Sequence, residues 1–311
     1  MLFQEEKSKQ KIPQTGFAGF EASITYPAKA RTMLFQFRKK EKEMSLRFTV
    51  LSSGSTGNAI VVANDEAKVL IDAGLSAKRV EHLMAEQEVA ASELSAIFIT
   101  HEHSDHVKGL GAIARKYKLP VYANQATWEE LDKCVGALEA EQRRILDTGS
   151  VVEIHNLSIQ SFGISHDAAE PVGYCFYDGD EKLGLATDLG YMSDKVRDQL
   201  RDCDALILEA NHDIELLRMG RYPWNIKRRI LSDSGHLSNE AAGEALYTLL
   251  SQRLRRVYLA HLSRDHNMQE LARMTVGGVL EQYGVRCGDN GPKLMDTYYD
   301  RPTHWDWLRE A

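Results

Sequence analysis

The sequence predicts an α/β fold, and three observations support this class. Short apolar runs rich in β-branched residues alternate with segments whose apolar residues recur at helical spacing. A content of 43% hydrophobic and 27% charged residues in a chain of 311 is typical of a globular protein. Polar residues directly follow several strand-like runs, and open α/β sheets bind their ligands at such strand ends.

The predicted elements follow one another along the chain after residue 44. Strands are predicted from apolar runs at residues 45–51, 69–71, 96–100, 205–208 and 257–260. Helices are predicted from apolar residues that share one face, which are Val80, Leu83 and Met84, then Val107, Leu110, Ile113 and Ala114, then Ala241, Ala245, Leu246 and Leu249. No internal repeat interrupts this alternation.

Residues 1–43 differ from the rest of the chain. They mix Lys, Gln, Pro and Gly with isolated aromatic residues and show no sustained hydrophobic period, which is typical of a poorly ordered extension. We therefore expect one domain over residues 44–311. Because a strand-like run begins directly after Met44, our hypothesis is that Met44 is the native start.

Charge and cysteine content narrow the class of protein. A formal net charge of −7 does not suggest a protein that coats DNA. The four cysteines form no C-x-x-C pair, so neither a disulfide framework nor a sulfur metal site is predicted. No run approaches the roughly 20 apolar residues that a membrane helix needs, and no signal-peptide core is found. We expect a cytoplasmic protein without a membrane partner.

The most informative segment is T-H-E-H-S-D-H at residues 100–106. It lies between a predicted strand and a predicted helix, where a tight loop can aim His101 and His103 at one ion and Asp105 and His106 at another. A single histidine is usually an ordinary surface or core residue, but four ligand-type residues within six positions predict a metal site.

This H-x-H-x-D-H string resembles the signature of the metallo-β-lactamase superfamily, and the further motifs of that family follow in order. The run V-L-I-D-A-G contains Asp72, and I-S-H-D contains His166. The run A-T-D-L-G contains Asp188, and L-A-H-L-S contains His261. In isolation Asp72 and Asp188 would be ordinary turn residues, but their order and context favour a site.

The resemblance implies a four-layer αββα sandwich, in which two facing mixed sheets lie between outer helices and two metal ions lie at one edge. The implied ligands are His101, His103 and His166 for one ion, and Asp105, His106 and His261 for the other, with Asp188 bridging. Asp72 is expected to orient a ligand without binding metal.

The types of ligand atom restrict which divalent metals can occupy the two sites. Imidazole-rich sites suit zinc, while carboxylates also admit manganese, so zinc is the default and manganese the rival. The β-lactamases use a cysteine at the second metal, whereas no cysteine here falls at a motif position; they are Cys134, Cys175, Cys203 and Cys287. This departure argues against β-lactam cleavage.

The loop S-S-G-S-T-G-N at residues 52–58 supports two interpretations equally. Its small residues and free amides suit a nest for a phosphate oxygen, in which Ser55 and Asn58 would contact the substrate. They also suit a plain hairpin loop.

Two histidines outside the metal motifs are candidates for proton transfer. Hydrolysis of a phosphodiester needs a donor for the departing oxygen, and histidine suits that role near pH 7. His236 is the first choice and His212 the second. A helix-start loop is the competing interpretation for His236, because Ser238 and Asn239 are good N-cap residues.

Basic and aromatic residues cluster before His236; they are Arg218, Arg221, Tyr222, Trp224, Lys227, Arg228 and Arg229. Such a set can neutralise backbone phosphates and stack an exposed base, with Arg228 and Arg229 as our candidate substrate contacts. A solvated helix face explains the charges equally well.

Four segments resemble in amino-acid sequence the bacterial YycJ/WalJ branch of the superfamily; they are residues 52–58, 166–174, 209–213 and 235–239. That resemblance implies a 5′-to-3′ DNA exonuclease with a part in DNA repair, and therefore DNA and DNA-repair proteins as partners. The expected mechanism is attack by a hydroxide that bridges two metals, with Asp105 orienting it and His236 or His212 protonating the leaving group.

Other functions of the same site remain open. The gap of roughly 70 residues between Asp188 and His261 is too short for the inserted domain of β-CASP nucleases. A small-molecule or cyclic-nucleotide phosphodiesterase is the leading alternative. The second is a regulatory metal-binding protein without turnover, against which the complete set of ligands argues.

Overall fold

A computed structural model describes residues 45–309, and their strands form two seven-stranded sheets. The first has the order β14-β1-β2-β3-β4-β5-β6. Its strands are β1 Arg47–Ser52, β2 Ala59–Ala63, β3 Lys68–Ile71, β4 Ala96–Phe98, β5 Val121–Ala123, β6 Arg143–Ile145 and β14 Asp306–Trp307. The second has the order β13-β12-β11-β10-β9-β8-β7. Its strands are β7 Val151–Ile154, β8 Leu157–Gly163, β9 Val172–Asp178, β10 Glu181–Ala186, β11 Ala205–Glu209, β12 Arg256–Ala260 and β13 Lys293–Asp296.

Both sheets are mixed, with the same sequence of strand directions. Neighbouring strands are antiparallel throughout the series β14-β1-β2-β3 and the series β7-β8-β9-β10. Pairs from β3 to β6 and from β10 to β13 are parallel, so that Ile71 pairs with Phe98 and Leu185 with Ile207. Parallel neighbours end at the same edge of a sheet, and this brings residues distant in sequence close together.

Helices connect and cover the strands. They are α1 Ala77–Glu86, α2 Ser104–Val107, α3 Leu110–Tyr117, α4 Gln125–Leu131, α5 Asp194–Leu200, α6 Ile214–Met219, α7 Trp224–Ile230, α8 Asn239–Leu249 and α9 Gln269–Gln282. The start of α8 follows the capping rule, because the Ser238 hydroxyl accepts a hydrogen bond of 3.1 Å from the Ala241 amide. None of the helices within residues 45–309 is long and apolar enough to cross a membrane.

Strand alternation creates three apolar layers. Val69 and Ile71 of β3 face the second sheet, whereas Leu70 faces the outer helices. Between the sheets lie large buried side chains, including Phe48, Phe98 and Tyr174. Outside the first sheet pack α1, α3 and α4, and outside the second pack α5, α8 and α9. Burial of one such aromatic or aliphatic side chain contributes roughly 1.5–3 kcal/mol.

These layers confirm the predicted αββα sandwich with two mixed sheets. The predicted apolar face of α1 is also found, since Val80, Leu83 and Met84 are its buried residues. One local expectation was incomplete, because Asp105 and His106 lie in the short helix α2 and not in a continuous loop. The predicted extension at residues 1–43 and the proposed start at Met44 lie outside the described residues.

Candidate metal centre

The predicted ligands lie at the carboxyl ends of strands from both sheets. Asp72 directly follows β3, and His261 directly follows β12. His101 comes shortly after β4, His166 shortly after β8, and Asp188 two residues after β10. The two sheets face each other, so these strand ends meet at one edge of the sandwich.

Three of these residues have left-handed backbone conformations. The φ angles are 58° at Asp72, 57° at Asp188 and 56° at His261. Such conformations are uncommon for residues other than glycine, although Asp and His are enriched among the exceptions. They cost free energy and cluster at functional sites. Here they turn the chain sharply at the end of each strand.

The first group of potential ligands consists of His101, His103 and His166. The Nδ1 atom of His103 lies 3.1 Å from Nε2 of His101 and 3.3 Å from Nε2 of His166. Two nitrogens bound tetrahedrally to zinc are about 3.3 Å apart, given the usual bond lengths. The three nitrogens therefore have the spacing of ligands around a single ion.

The second group consists of Asp105, His106 and His261. Oδ2 of Asp105 lies 3.5 Å from Nε2 of His106 and 3.5 Å from Nε2 of His261. Asp188 lies between the two groups, with Oδ2 at 3.3 Å from Nε2 of His106 and Oδ1 at 3.7 Å from Nε2 of His166. Its carboxylate can thus reach both groups, as a bridging ligand must.

Unpartnered buried atoms show that these residues fit metal ions. Oδ2 of Asp188 and Nε2 of His261 are buried and have no hydrogen-bond partner among the residues that the structure describes. Burial of such atoms is costly unless they bind a partner. Both atoms point into the ligand groups, so a divalent cation would satisfy them.

Asp72 has the contacts of an orienting residue. Its Oδ2 atom lies 2.7 Å from Nδ1 of His106 and accepts a hydrogen bond of 2.8 Å from the Thr100 hydroxyl, while Oδ1 accepts one of 2.9 Å from the Thr100 amide. These bonds hold the His106 ring with Nε2 towards the second group. A carboxylate behind a metal-binding histidine commonly has this role.

Glu209, which the sequence analysis did not select, holds two histidines at once. Its Oε1 atom lies 2.9 Å from Nδ1 of His261 and 2.8 Å from Nδ1 of His236. Its Oε2 atom accepts hydrogen bonds from the amides of Leu189 and Leu237. The only sequence signal was a carboxylate at the end of the predicted strand 205–208, beside His212.

Opposite charges determine the protonation of this centre before metal binds. Burial lowers the pKa of His261, but Asp188, Asp105 and Glu209 outweigh that effect and raise it to about 10. Burial raises the pKa of Glu209, but His236 and His261 outweigh it and lower the pKa to about 2. The carboxylates are therefore ionised and the imidazole is protonated. Because a ligand histidine must be neutral, metal binding is expected to release protons.

We expect Glu209→Gln to weaken metal binding about 10- to 100-fold, because the amide cannot hold both rings as the carboxylate does. Competition with a chromophoric chelator measures this affinity. Glu215→Gln is the matched control, since Glu215 is exposed and pairs with Arg218. Equal affinities for the two variants would contradict an orienting role for Glu209.

A cavity of about 320 Å³ opens beside the two groups. Three predicted residues that are not metal ligands line it, and these are Ser55, Arg229 and His236; Asp105 is among the potential ligands that also line it. The Nδ1 atom of His236 is engaged by Glu209, so Nε2 is the ring nitrogen left for a substrate. Tyr222 and Ile226 are also among the lining residues.

Three other candidates are not brought into this cavity. Asn58 is buried beneath the second group, where its Nδ2 atom lies 3.0 Å from Nε2 of His106 and its Oδ1 atom accepts a hydrogen bond from the Gly54 amide. Arg228 is exposed on α7 but does not line the cavity. His212 is 1% exposed, and neither of its ring nitrogens has a hydrogen-bond partner within residues 45–309. For proton transfer the geometry favours His236 over His212.

His212 gives a pH-dependent prediction. Burial lowers its pKa to about 4, so between pH 6.5 and 4 the unfolded chain binds a proton that the folded chain does not. Stability therefore falls on acidification. When the pH falls from 7 to 5, the free energy of unfolding decreases in the unsubstituted protein. In His212→Leu, which lacks this titrating group, we expect that decrease to be about 2 kcal/mol smaller. Urea titrations at both pH values measure this difference, and parallel losses would refute it.

Comparisons with known proteins agree with this geometry. Residues 67–262 match the family model of the β-lactamase superfamily domain. The chain is 50% identical over 260 residues to exodeoxyribonuclease YycJ of Bacillus anthracis, which covers 84% of this chain and 98% of the relative. It is 42% identical over 263 residues to exodeoxyribonuclease WalJ of Streptococcus pneumoniae serotype 2, covering 84% and 97%.

Among solved structures, the metallo-β-lactamase fold protein YhfI from Bacillus subtilis aligns with a TM-score of 0.63 at 16% identity, covering 84% of this chain and 99% of that one. This likeness shows the fold. The fold implies divalent metal ions, for which the histidine and aspartate groups are available. From the matched family model and the two relatives, the chain belongs to the metallo-β-lactamase superfamily, in the family that contains YycJ and WalJ.

Proposed function

We propose that this protein is a metal-dependent exodeoxyribonuclease that hydrolyses phosphodiester bonds. One observation carries the proposal: two groups of potential ligands share Asp188 and open into a cavity that also contains His236. The names of the two relatives, both exodeoxyribonucleases, support DNA as the polymer. The 5′-to-3′ direction remains part of the proposal.

The proposed mechanism assigns separate tasks to the residues. His101, His103 and His166 would hold one ion and Asp105, His106 and His261 the other, with Asp188 between them. Two bound divalent ions would supply hydroxide near neutral pH and neutralise charge on the phosphate. Asp105 would orient the nucleophile. Glu209 holds the His236 ring, so that Nε2 can donate a proton to the departing oxygen.

Arg229 is suited to bind the substrate phosphate. Its guanidinium lines the cavity and forms two hydrogen bonds with Asp167, one of them 2.9 Å from Nη2 to Oδ1. That pair holds the guanidinium at the cavity wall. Ser55 lies on the same wall and offers a hydroxyl. Lys227 is less suited than its sequence position indicated, because it is buried and donates to the carbonyls of Arg218 and Gly220.

Neutralising Arg228 and Arg229 together is expected to weaken DNA binding and to flatten its salt dependence. Loss of two phosphate contacts reduces the slope of log K against log salt by about 1.8 for double-stranded DNA. Fluorescence anisotropy at several salt concentrations measures the slope. Lys116→Ala/Lys133→Ala is the control, since both lysines are exposed and ion-paired elsewhere. An unchanged slope would indicate that the two arginines are ordinary solvated surface residues that do not contact DNA.

The finer assignments also belong to the proposal. Zinc is favoured by the imidazole donors, and manganese is the rival because three carboxylates are among the potential ligands.

DNA-repair proteins as partners and a cytoplasmic location are consistent with a DNA exonuclease. A phosphodiesterase for small molecules or cyclic nucleotides is the second candidate, favoured by the limited cavity volume of about 320 Å³. A regulatory protein without turnover is the third.

The decisive experiment uses metal-stripped protein supplied with Zn²⁺ or Mn²⁺. The substrates are single- and double-stranded DNA and RNA, each labelled at the 5′ or the 3′ end. Progressive shortening of DNA from the 5′ end is the expected result. Cleavage of bis-p-nitrophenyl phosphate with no cleavage of any polymer would move the assignment to small phosphodiesters. Absence of both activities would favour a regulatory protein.

A further inference from the structure

A second cavity adjoins the metal-centre cavity. Its volume is about 210 Å³, far above the roughly 30 Å³ occupied by one water molecule. The two cavities share Ser263, which lies two residues after His261. Arg264, Tyr299 and Gln269 are among the other residues that line the second cavity. The second cavity therefore lies next to the metal-centre cavity, with Ser263 in the wall of both.

The second cavity is attached directly to the metal centre through the backbone. Ser53 lines it, and the Ser53 hydroxyl accepts a hydrogen bond of 2.7 Å from the His261 amide. The Ser53 amide donates to the Tyr298 carbonyl at 2.8 Å. Gly54 lies so close to Leu262 that a Cβ atom would be 3.1 Å from the Leu262 carbonyl oxygen. These contacts hold the segment that contains Tyr299 at a set distance from His261.

Arg264 and Tyr299 form the chemically distinctive part of this cavity. The Arg264 guanidinium lies over the Tyr299 ring, 4.3 Å from its centroid. Within residues 45–309, Arg264 has no ion pair with a carboxylate. Stacking on the ring orients the planar guanidinium and leaves its N–H groups free for an anion. Tyr299 as a whole residue is 40% exposed, so a planar group can also contact it.

We propose that Arg264 and Tyr299 form a nucleotide subsite, which binds the nucleotide next to the scissile phosphate. The guanidinium binds the phosphate of that nucleotide, and the aromatic ring stacks against its base. This inference rests on the proposed nuclease function and adds a specific contact to it. A cationic group beside an aromatic face is the combination that binds single-stranded nucleic acid without sequence preference.

The chemistry favours a nucleotide over a simple anion or an apolar ligand. A simple anion would use the guanidinium and leave the exposed ring without a role. An apolar ligand would leave the guanidinium unpaired. The formal net charge of −7 does not favour DNA binding in general, so an unpaired arginine beside the metal centre is a local source of attraction for a phosphate.

Binding tests this subsite independently of cleavage. The probe is a short fluorescent single-stranded DNA with phosphorothioate linkages at both ends, and the readout is anisotropy of the metal-loaded protein at several salt concentrations. Arg264→Ala is expected to weaken binding and to reduce the salt slope by about 0.7, the loss of one phosphate contact. Tyr299→Ala is expected to weaken binding about tenfold with an unchanged slope, because stacking carries no charge.

Matched variants separate a binding role from general charge or misfolding. Arg264→Lys keeps the charge and is expected to keep the slope while losing part of the affinity. Arg286→Ala removes an exposed arginine outside both cavities and is expected to bind as the unsubstituted protein does. Metal content and melting temperature of each variant report on folding.

The outcomes distinguish this inference from the proposed function. If the protein cleaves DNA but Arg264→Ala and Tyr299→Ala bind like the Arg286→Ala control, the subsite is wrong and the nuclease stands. If both variants weaken binding but no DNA is cleaved, the subsite stands and the nuclease is wrong. If the unsubstituted protein neither binds nor cleaves DNA, both are overturned.

Discussion

Replacement of Asp188 by alanine is expected to remove metal binding and activity together. Its carboxylate lies within reach of both ligand groups, at 3.3 Å from Nε2 of His106 and 3.7 Å from Nε2 of His166. Without it, neither group retains the bridging donor, and His106 and His261 lose the anion that faces them. Elemental analysis after gel filtration measures metal content, and DNA cleavage measures activity. We expect cleavage to fall below detection.

The control for this variant is Asp198→Ala. Asp198 is an exposed aspartate on α5 that pairs with Arg201, so its loss is expected to change neither metal content nor cleavage. Full occupancy of both metals in Asp188→Ala would disprove the bridging assignment. Loss of one metal with the other retained would assign Asp188 to a single ion.

Replacement of His236 by alanine is expected to leave both metals bound and to slow turnover about 10²- to 10⁴-fold, the usual contribution of a general acid or base. His236 lines the cavity, and Glu209 holds its Nδ1 atom at 2.8 Å. The slow step would be departure of the leaving oxygen. Turnover should therefore recover with a substrate whose leaving group is more acidic, such as a p-nitrophenyl phosphodiester.

Two results would contradict this role for His236. Wild-type turnover on DNA would exclude it as the proton donor. Loss of metal would indicate that it is a ligand, an arrangement that is geometrically available because Asp188, Glu209, His236 and His261 also lie within ligand distance of one another. His82→Ala is the control, since His82 is exposed on α1, where it pairs with Glu86.

The potential metal ligands could be predicted because each one follows a strand that is visible in the sequence. The run 96–100 predicts a buried strand, and the histidines after it must then lie at that strand's carboxyl end. Asp188 and His261 follow similar runs. Their order along the chain resembles a known family, and this indicated which strand ends meet. Local pattern and order were sufficient to place these side chains at strand ends that meet at one edge of the sandwich.

Glu209 could not be selected in the same way. A carboxylate at the end of a strand is common, and its importance here comes from contacts with His236 and His261, which lie 27 and 52 residues further along the chain. The sequence also does not show which histidine side chain faces a cavity. His212 and His236 were both candidates, yet only His236 lines the cavity.

The sequence by itself determined the α/β class, because strand and helix periodicity are properties of neighbouring residues. The αββα layers and the set of potential metal ligands followed from the order of motifs, which resembles that of a known family. Only the tertiary structure decided which side chains support those ligands and which line the cavity beside them. Asn58 lies beneath the second ligand group, Lys227 is bound to carbonyls, and Arg264 stacks on Tyr299 beside the centre. These roles depend on side-chain direction and on contacts between distant segments, which emerge only when the two sheets pack together.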